Sequence, residues 1–264
     1  MRFSRILITG ASSGIGAALA RAYAAPGVTL FLIGRDAGRL ADVAAACHAQ
    51  GAEAEPIVRD VRDRAAMHDT LCAIDAQAPL DLVVANAGVS TGLPAGAVAE
   101  DPEAVRGVIA INLIGALNTI EPLIAPFCAR GRGAFALTGS ISAVRGLPFC
   151  PSYCATKAAV HLYAESLRAG LARHGVQVSL IVPGFVHTPL NADLVSAKPL
   201  AMSDAKAAVI IRCGLDRGRA TIAFPKRLYW GARLLRALPT RLVDAILARQ
   251  TVDVPVTRER ERGA

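Results

Sequence analysis

Thr9-Gly10-Ala11-Ser12-Ser13-Gly14-Ile15-Gly16 is the stretch that decides the fold of this 264-residue chain. An apolar run, Arg5–Thr9, leads into it, and an alanine-rich helical stretch begins at residue 14. Strand, glycine turn and helix in that order form the setting that a dinucleotide-binding turn requires. Gly10 permits the tight turn, while Gly14 and Gly16 let backbone and helix approach a pyrophosphate. The helix start then offers free N–H groups and the positive end of its dipole to phosphate oxygens. Ser12, Ser13 and Ile15 belong to the same candidate cradle.

Outward from this turn, short β-type runs alternate with longer helical stretches. Residues 5–9, 28–33, 54–59, 82–85, 134–138 and 177–182 read as buried strands, and 220–224 as a last strand. Helical stretches fall near 14–25, 36–49, 63–76, 103–129, 152–173 and 203–216. Gly27, Gly51 and Gly175 stand where left-handed helix caps are needed. Strict alternation predicts an α/β fold, a Rossmann-type doubly wound parallel sheet of about seven strands with helices on both faces. No repeat or interdomain linker interrupts it, and its length suits one large domain.

Composition bounds the function classes. Apolar residues make up 53% of the chain, which argues against disorder outside the very end. No apolar run approaches the roughly 18 to 20 residues of a membrane span, and the start reads as a first strand rather than a signal peptide. The six cysteines show no Cys-x-x-Cys pair, so reduced thiols in a cytoplasmic protein are expected. No cluster has metal-ligand spacing, and the metal expectation is none. Net charge is +8, concentrated at the end: residues 1–211 hold 17 basic and 16 acidic side chains, residues 212–264 hold 12 and 5.

The end of the second strand reads Ile33-Gly34-Arg35-Asp36. A glycine replaces the acid that binds ribose hydroxyls in NAD-type sites, and the Arg35 guanidinium suits a 2′-phosphate, so NADP is preferred over NAD. Ser13 is not the basic residue that often supports NADP in this turn. Asp36 is a candidate helix N-cap. Asp60 and Val61 end the third strand, where an acid and an apolar residue would hold the adenine. Asn86, Ala87 and Gly88 end the fourth in a small turn against which the cofactor can lie.

Tyr153 and Lys157 are four residues apart, so phenol and ammonium share one helical face. An ammonium beside a phenol favours the phenolate, which predicts a Tyr153 pKa below the usual value of about 10 and makes the phenol a general acid/base. With Ser140 thirteen residues before Tyr153, Asn112 in Ile111-Asn112-Leu113, and Pro183-Gly184-Phe185-Val186-His187-Thr188, the chain resembles the short-chain dehydrogenase/reductase family over about residues 5–224. It is similar to the single-domain subgroup carrying Gly-x-x-x-Gly-x-Gly and Tyr-x-x-x-Lys.

The resemblance implies a nicotinamide-dependent oxidoreductase and assigns roles. Tyr153 would pass the proton to or from the substrate oxygen, and Ser140 would hydrogen-bond that oxygen. Lys157 would tune Tyr153 and grip the nicotinamide ribose, and Asn112 would hold a water in a proton relay ending at Lys157. Pro183, Gly184, Val186 and Thr188 would hold the carboxamide. Ser142 is a rival hydroxyl to Ser140, and His187 fills a variable place. The resemblance also implies a homodimer or homotetramer, compatible with alanine-rich faces on 103–129 and 152–173. An intact Ser140–Tyr153–Lys157–Asn112 set argues against the alternative, a cofactor-binding regulatory protein without turnover.

Val144, Leu147 and Phe149 before Tyr153, with Leu190, Leu194, Val195 and Leu200 after the Pro-Gly motif, predict an apolar pocket. A hydrophobic secondary alcohol or ketone would fill it. The catalytic unit is expected over residues 1–225, with 226–264 a basic, amphipathic helical extension. Residues 226–249 mix leucines and the only tryptophan with cations. Such helices can touch an anionic membrane peripherally, pack on the domain, close the pocket or join a subunit interface. No nucleic-acid motif accompanies the basic tail, so no nucleic-acid partner is expected.

Overall fold

Buried apolar runs and glycine breaks produce the expected alternation. A computed structural model describes residues 2–94, 96–191 and 199–247. Its strands are β1 (Arg5–Thr9), β2 (Thr29–Gly34), β3 (Glu53–Val58), β4 (Leu82–Ala85), β5 (Ala134–Thr138), β6 (Gln177–Pro183), β7 (Val186–His187), β8 (Met202–Ser203) and β9 (Thr221–Phe224). Seven of them form one sheet in the order β3-β2-β1-β4-β5-β6-β9, every pair parallel, and β7 pairs with β8 apart from it. The chain starts mid-sheet and winds outward both ways. That order creates a switch point at β1 and β4, where the connections diverge and a ligand crevice opens.

The helices are α1 (Gly14–Tyr23), α2 (Ala37–His48), α3 (Arg64–Gln77), α4 (Pro102–Ile109), α5 (Gly115–Arg130), α6 (Pro151–Leu171), α7 (Asp204–Asp216), α8 (Lys226–Ala237) and α9 (Thr240–Leu247). They cover both sheet faces. Tyr23, Leu19, Leu40 and Ile211 pack with Ile6 and Ile8 on one side, and Met67, Leu71, Ile120 and Phe127 with Leu7 and Phe135 on the other. Gly27, Gly51 and Gly175 adopt positive φ, as their capping positions require. Asp36, Asp63, Asp101 and Ser203 cap α2, α3, α4 and α7 through side-chain oxygens.

Two expectations change. The helix expected over 103–129 is interrupted by a π turn, Ala110–Ile114, in which the Gly115 N–H reaches the Ala110 carbonyl. Pro102–Arg130 as a whole is also long and apolar enough to cross a membrane by length and composition. Half of its most apolar window is buried inside the protein, where Ile120, Leu123 and Phe127 serve the core. Of the pocket residues expected from sequence, Leu194 and Val195 lie outside the described residues, as do 248–264 of the extension.

Candidate active site

The first half of the site is built at the carboxyl ends of β1 and β4. The Thr9 hydroxyl accepts the Asn86 N–H at 3.1 Å, and Asn86 Nδ2 donates to the Thr9 carbonyl at 3.1 Å and the Gly10 carbonyl at 3.4 Å. The second of these bonds ties the glycine turn to the β4 loop. From β5, Thr138 Oγ1 donates to Asn86 Oδ1 at 3.3 Å. Three strand ends are thereby locked around Gly10, Asn86, Ala87 and Gly88.

Gly14 has φ +54, and a β-carbon there would come within 3.1 Å of Thr188 Cγ2. The Pro-Gly segment thus folds directly over the glycine turn. Ser13 stands at the N-cap of α1, yet its side chain makes no capping hydrogen bond. The first N–H groups of α1 are left to an anion. Ser12 lies beside Gly34, 3.4 Å from where a side chain would start there, so the end of β2 closes the cradle. These residues fit a dinucleotide.

Toward the outer edge, a cavity of about 590 Å³ opens at the end of β3, lined by Arg35, Arg59, Asp60, Asp63 and Thr70 among others. Asp60 receives Arg62 through both carboxylate oxygens, with contacts of 2.7 to 3.1 Å. Burial would raise its pKa, but the Arg62 hydrogen bonds and the Arg35 charge outweigh that and hold it low. Asp60 is therefore already paired. The Val61 side chain is buried against Gly115, and its carbonyl accepts Asn118 Nδ2 at 2.8 Å. Val61 joins the packing of α5 rather than the cavity wall.

The second half lies at the ends of β5 and β6 against α6. Ser140 follows β5 by two residues and caps the short turn Ile141–Ala143, Tyr153 and Lys157 face it from α6, and Asn112 approaches from the π turn. Asn112 is buried; its Oδ1 accepts the Val89 N–H at 2.8 Å, while Nδ2 donates to the Val89 carbonyl at 2.9 Å and to Thr156 at 3.3 Å. Gly88 lies between Asn112 Oδ1 and Lys157 Nζ, 3.2 and 3.3 Å from where a side chain would begin. Lys157 donates to the Thr138 carbonyl at 2.9 Å, and its ammonium is 5.8 Å from the Tyr153 ring centre. The structure brings Ser140, Tyr153, Lys157, Asn112 and Gly88 together.

Proton affinities here do not follow the expected pattern. Burial pushes the Tyr153 phenol up to about 12, partly opposed by a hydrogen bond with the Ser140 side chain. Burial also draws Lys157 down to about 8. The expectation that the ammonium dominates Tyr153 gives way to desolvation, which disfavours both charged forms. Ser140 is the hydroxyl at the phenol; Ser142 serves it, with the two oxygens 2.6 Å apart and the Ser142 N–H donating to Ser140 at 3.2 Å.

One contributor escaped the sequence reading. The Ser140 N–H donates to His161 Nε2 at 3.2 Å, and the imidazole fills the space that a β-carbon at Gly139 would need. Burial, then the nearby Lys157 charge, press the His161 pKa down to about 4, so the ring is a neutral acceptor. His161 follows Lys157 by four residues and Tyr153 by eight, on the same helix face. That repeat was the available signal. His187, by contrast, is exposed in β7. Pro183 ends β6, the Gly184 N–H donates to the Phe224 carbonyl at 2.7 Å, and Val186 is buried in the core.

Comparison with known proteins accords with this geometry. A family model described as short chain dehydrogenase matches residues 4–199. An uncharacterized oxidoreductase of Myxococcus xanthus is 37% identical over 250 residues, 94% of this chain and 98% of the relative. A galactitol 2-dehydrogenase (L-tagatose-forming) of Cereibacter sphaeroides is 37% identical over 186 residues, 70% of this chain and 72% of that one. Among solved structures, a short-chain dehydrogenase from Sphingobium yanoikuyae in complex with NADPH superposes with a TM-score of 0.77 at 24% identity, covering 99% of this chain and 98% of that one. With an NAD(P)-binding Rossmann fold and a family match over most of its length, the chain belongs to the short-chain dehydrogenase/reductase family and is an oxidoreductase.

Proposed function

We propose that the protein interconverts a hydrophobic secondary alcohol and a ketone, with NADP preferred over NAD and Tyr153 as the general acid/base. The convergence of Ser140, Tyr153 and Lys157 beside the uncapped start of α1 carries this reading. The nicotinamide cofactor, when bound, gives or takes the hydride. Tyr153 protonates the substrate oxygen in reduction and takes the alcohol proton in oxidation. Because burial keeps the phenol protonated through neutral pH, it is a ready donor for ketone reduction. Ser140 donates to the same oxygen and steadies the charge that develops there. Lys157, with Asn112 behind it through Gly88, carries the proton onward and holds the ribose.

Arg35, at the end of β2 and on the wall of the outer cavity, supports recognition of a 2′-phosphate. Asp60 beside it is neutralised by Arg62, which removes the carboxylate that would repel that phosphate. The cradle residues Gly10, Ser12, Ser13, Gly14, Ile15 and Gly16 take the pyrophosphate; Asn86, Ala87, Gly88, Pro183, Gly184, Val186 and Thr188 frame the nicotinamide end. Val144 is buried and Leu147 and Phe149 are half-buried on the loop between Ser140 and Tyr153, which supports an apolar substrate wall. Residues 1–225 form the catalytic unit, with 226–264 as its extension. Six free cysteines suit a reducing cytoplasm. Exposed Ile109, Ile114 and Leu162 on the long helices favour a homodimer or homotetramer.

The test is a panel of ketones assayed with NADPH and with NADH. Reduction of bulky apolar ketones, faster with NADPH, is the expected result. Reduction confined to polar sugars, or equal use of both cofactors, contradicts the substrate and cofactor readings respectively.

A further inference from the structure

The outer face of α8 and α9 carries apolar residues that nothing in the described chain covers. Trp230 and Leu234 on α8, Leu238 in the break after it, and Leu242 and Ile246 on α9 are 62%, 65%, 36%, 51% and 43% exposed. The opposite face of α8 is already satisfied, because Leu228, Tyr229 and Ala232 pack against the core. Packing on the domain therefore explains the inner residues and leaves the outer ones without a role.

The charges around them are of one sign. Residues 226–247 contain Lys226, Arg227, Arg233, Arg236 and Arg241 against a single acid, Asp244. Asp244 is engaged by Arg145 at 2.6 Å. Arg233 lies over both the Tyr229 and the Trp230 rings, at 5.8 and 5.6 Å. The indole is thereby set beside a cation, a pairing suited to the boundary between headgroups and acyl chains.

We propose that α8 and α9 form a membrane-docking face that seats Trp230 and its leucine stripe among the headgroups of an anionic lipid surface. The charge pattern selects this occupant. A second copy of the chain, meeting face to face, would bring two sets of these cations together. A nucleic acid would match the charge and leave large apolar side chains in water. Anionic lipid satisfies both. The same elements reach the catalytic loop: Arg236 donates to the Val144 carbonyl at 3.4 Å, and the Arg145–Asp244 pair ties α9 to that loop. A docked face would therefore hold the substrate side of the enzyme close to the bilayer, where apolar alcohols and ketones concentrate.

The chain contains one tryptophan, so its fluorescence reports on this face alone. The full-length protein is mixed with vesicles of phosphatidylcholine, or of phosphatidylcholine with phosphatidylglycerol, and followed by Trp emission and by co-sedimentation. The expected result is a shift to shorter wavelength and at least about tenfold stronger partitioning onto the anionic vesicles, weakened by salt. A Leu234→Glu/Leu242→Glu variant should lose this partitioning while its circular dichroism and its turnover of a water-soluble ketone stay unchanged. Emission unmoved by anionic vesicles overturns the proposal. So does a shift that follows protein concentration without lipid and accompanies a doubled mass, which would assign the face to a second copy. Neither readout depends on catalysis, so failure here is distinct from failure of the proposed reaction.

Discussion

Tyr153 and Lys157 show how environment overrides a pairwise rule. Their spacing alone predicts mutual stabilisation of the charged forms, yet both are driven toward neutrality by burial, the phenol up to about 12 and the ammonium down to about 8. His161 completes the same helix face and holds the Ser140 backbone through an accepted hydrogen bond. Removing that acceptor leaves a part-buried N–H unpaired. His161→Leu is expected to lower kcat for ketone reduction about tenfold, with NADPH affinity unchanged, and His161→Gln, which restores an acceptor, to recover most of it. Equal losses in both variants would assign the effect to ring volume. The ring also links stability to pH. Its folded pKa, about 4, lies below the unfolded 6.5, so the unfolded chain binds more protons in that interval. Stability is complete above about pH 6.5 and declines as pH falls through 4, by at most about 3 kcal/mol. Melting curves of both variants should lack this part of the pH slope.

At the scale of elements, the inner strands were legible because a parallel sheet buried on both faces demands continuous apolar runs, whereas β3, expected to be buried, is a mostly exposed edge strand. The helix cap at Asp36 was legible for an equally local reason. The π turn at Ala110–Ile114 was not. Its cause is non-local: Asn112 bonds the Val89 backbone from 23 residues away, and nothing within the helical sequence announces it. The His161–Ser140 contact likewise exists only once β5 and α6 are packed. In the proposed reading the end of β2 carries the cofactor choice, with Gly34 leaving room beside Ser12 and Arg35 following on the loop. Arg35→Ala is expected to weaken NADPH binding tenfold or more, about the worth of a charge-assisted hydrogen bond, and NADH binding no more than about twofold. Titrations with both nucleotides check this, and equal weakening would remove the 2′-phosphate argument.

For the whole molecule, the charge asymmetry and the exposed apolar residues divide the surface into regions with different uses. Five of the twelve cations in residues 212–264 lie on α8 and α9, whereas the exposed Ile109, Ile114 and Leu162 lie on the segment 102–130 and on α6. Light scattering should give a mass two or four times the 27.4 kDa of one chain, and a single-chain mass would contradict the proposed oligomer. The proposed cofactor cradle at β1 and β4 and the proposed proton-handling group at β5 and α6 are separate constructions joined through Asn86, Gly88 and Lys157. If the protein works as proposed, the two can be uncoupled by removing one oxygen. The most direct measurement compares wild type and Tyr153→Phe for NADPH binding by fluorescence titration and for ketone reduction under the same conditions. Binding within about twofold of wild type, with turnover reduced at least about a hundredfold, is the predicted result. Undiminished turnover in Tyr153→Phe would contradict the role assigned to Tyr153 and, with it, the proposed mechanism.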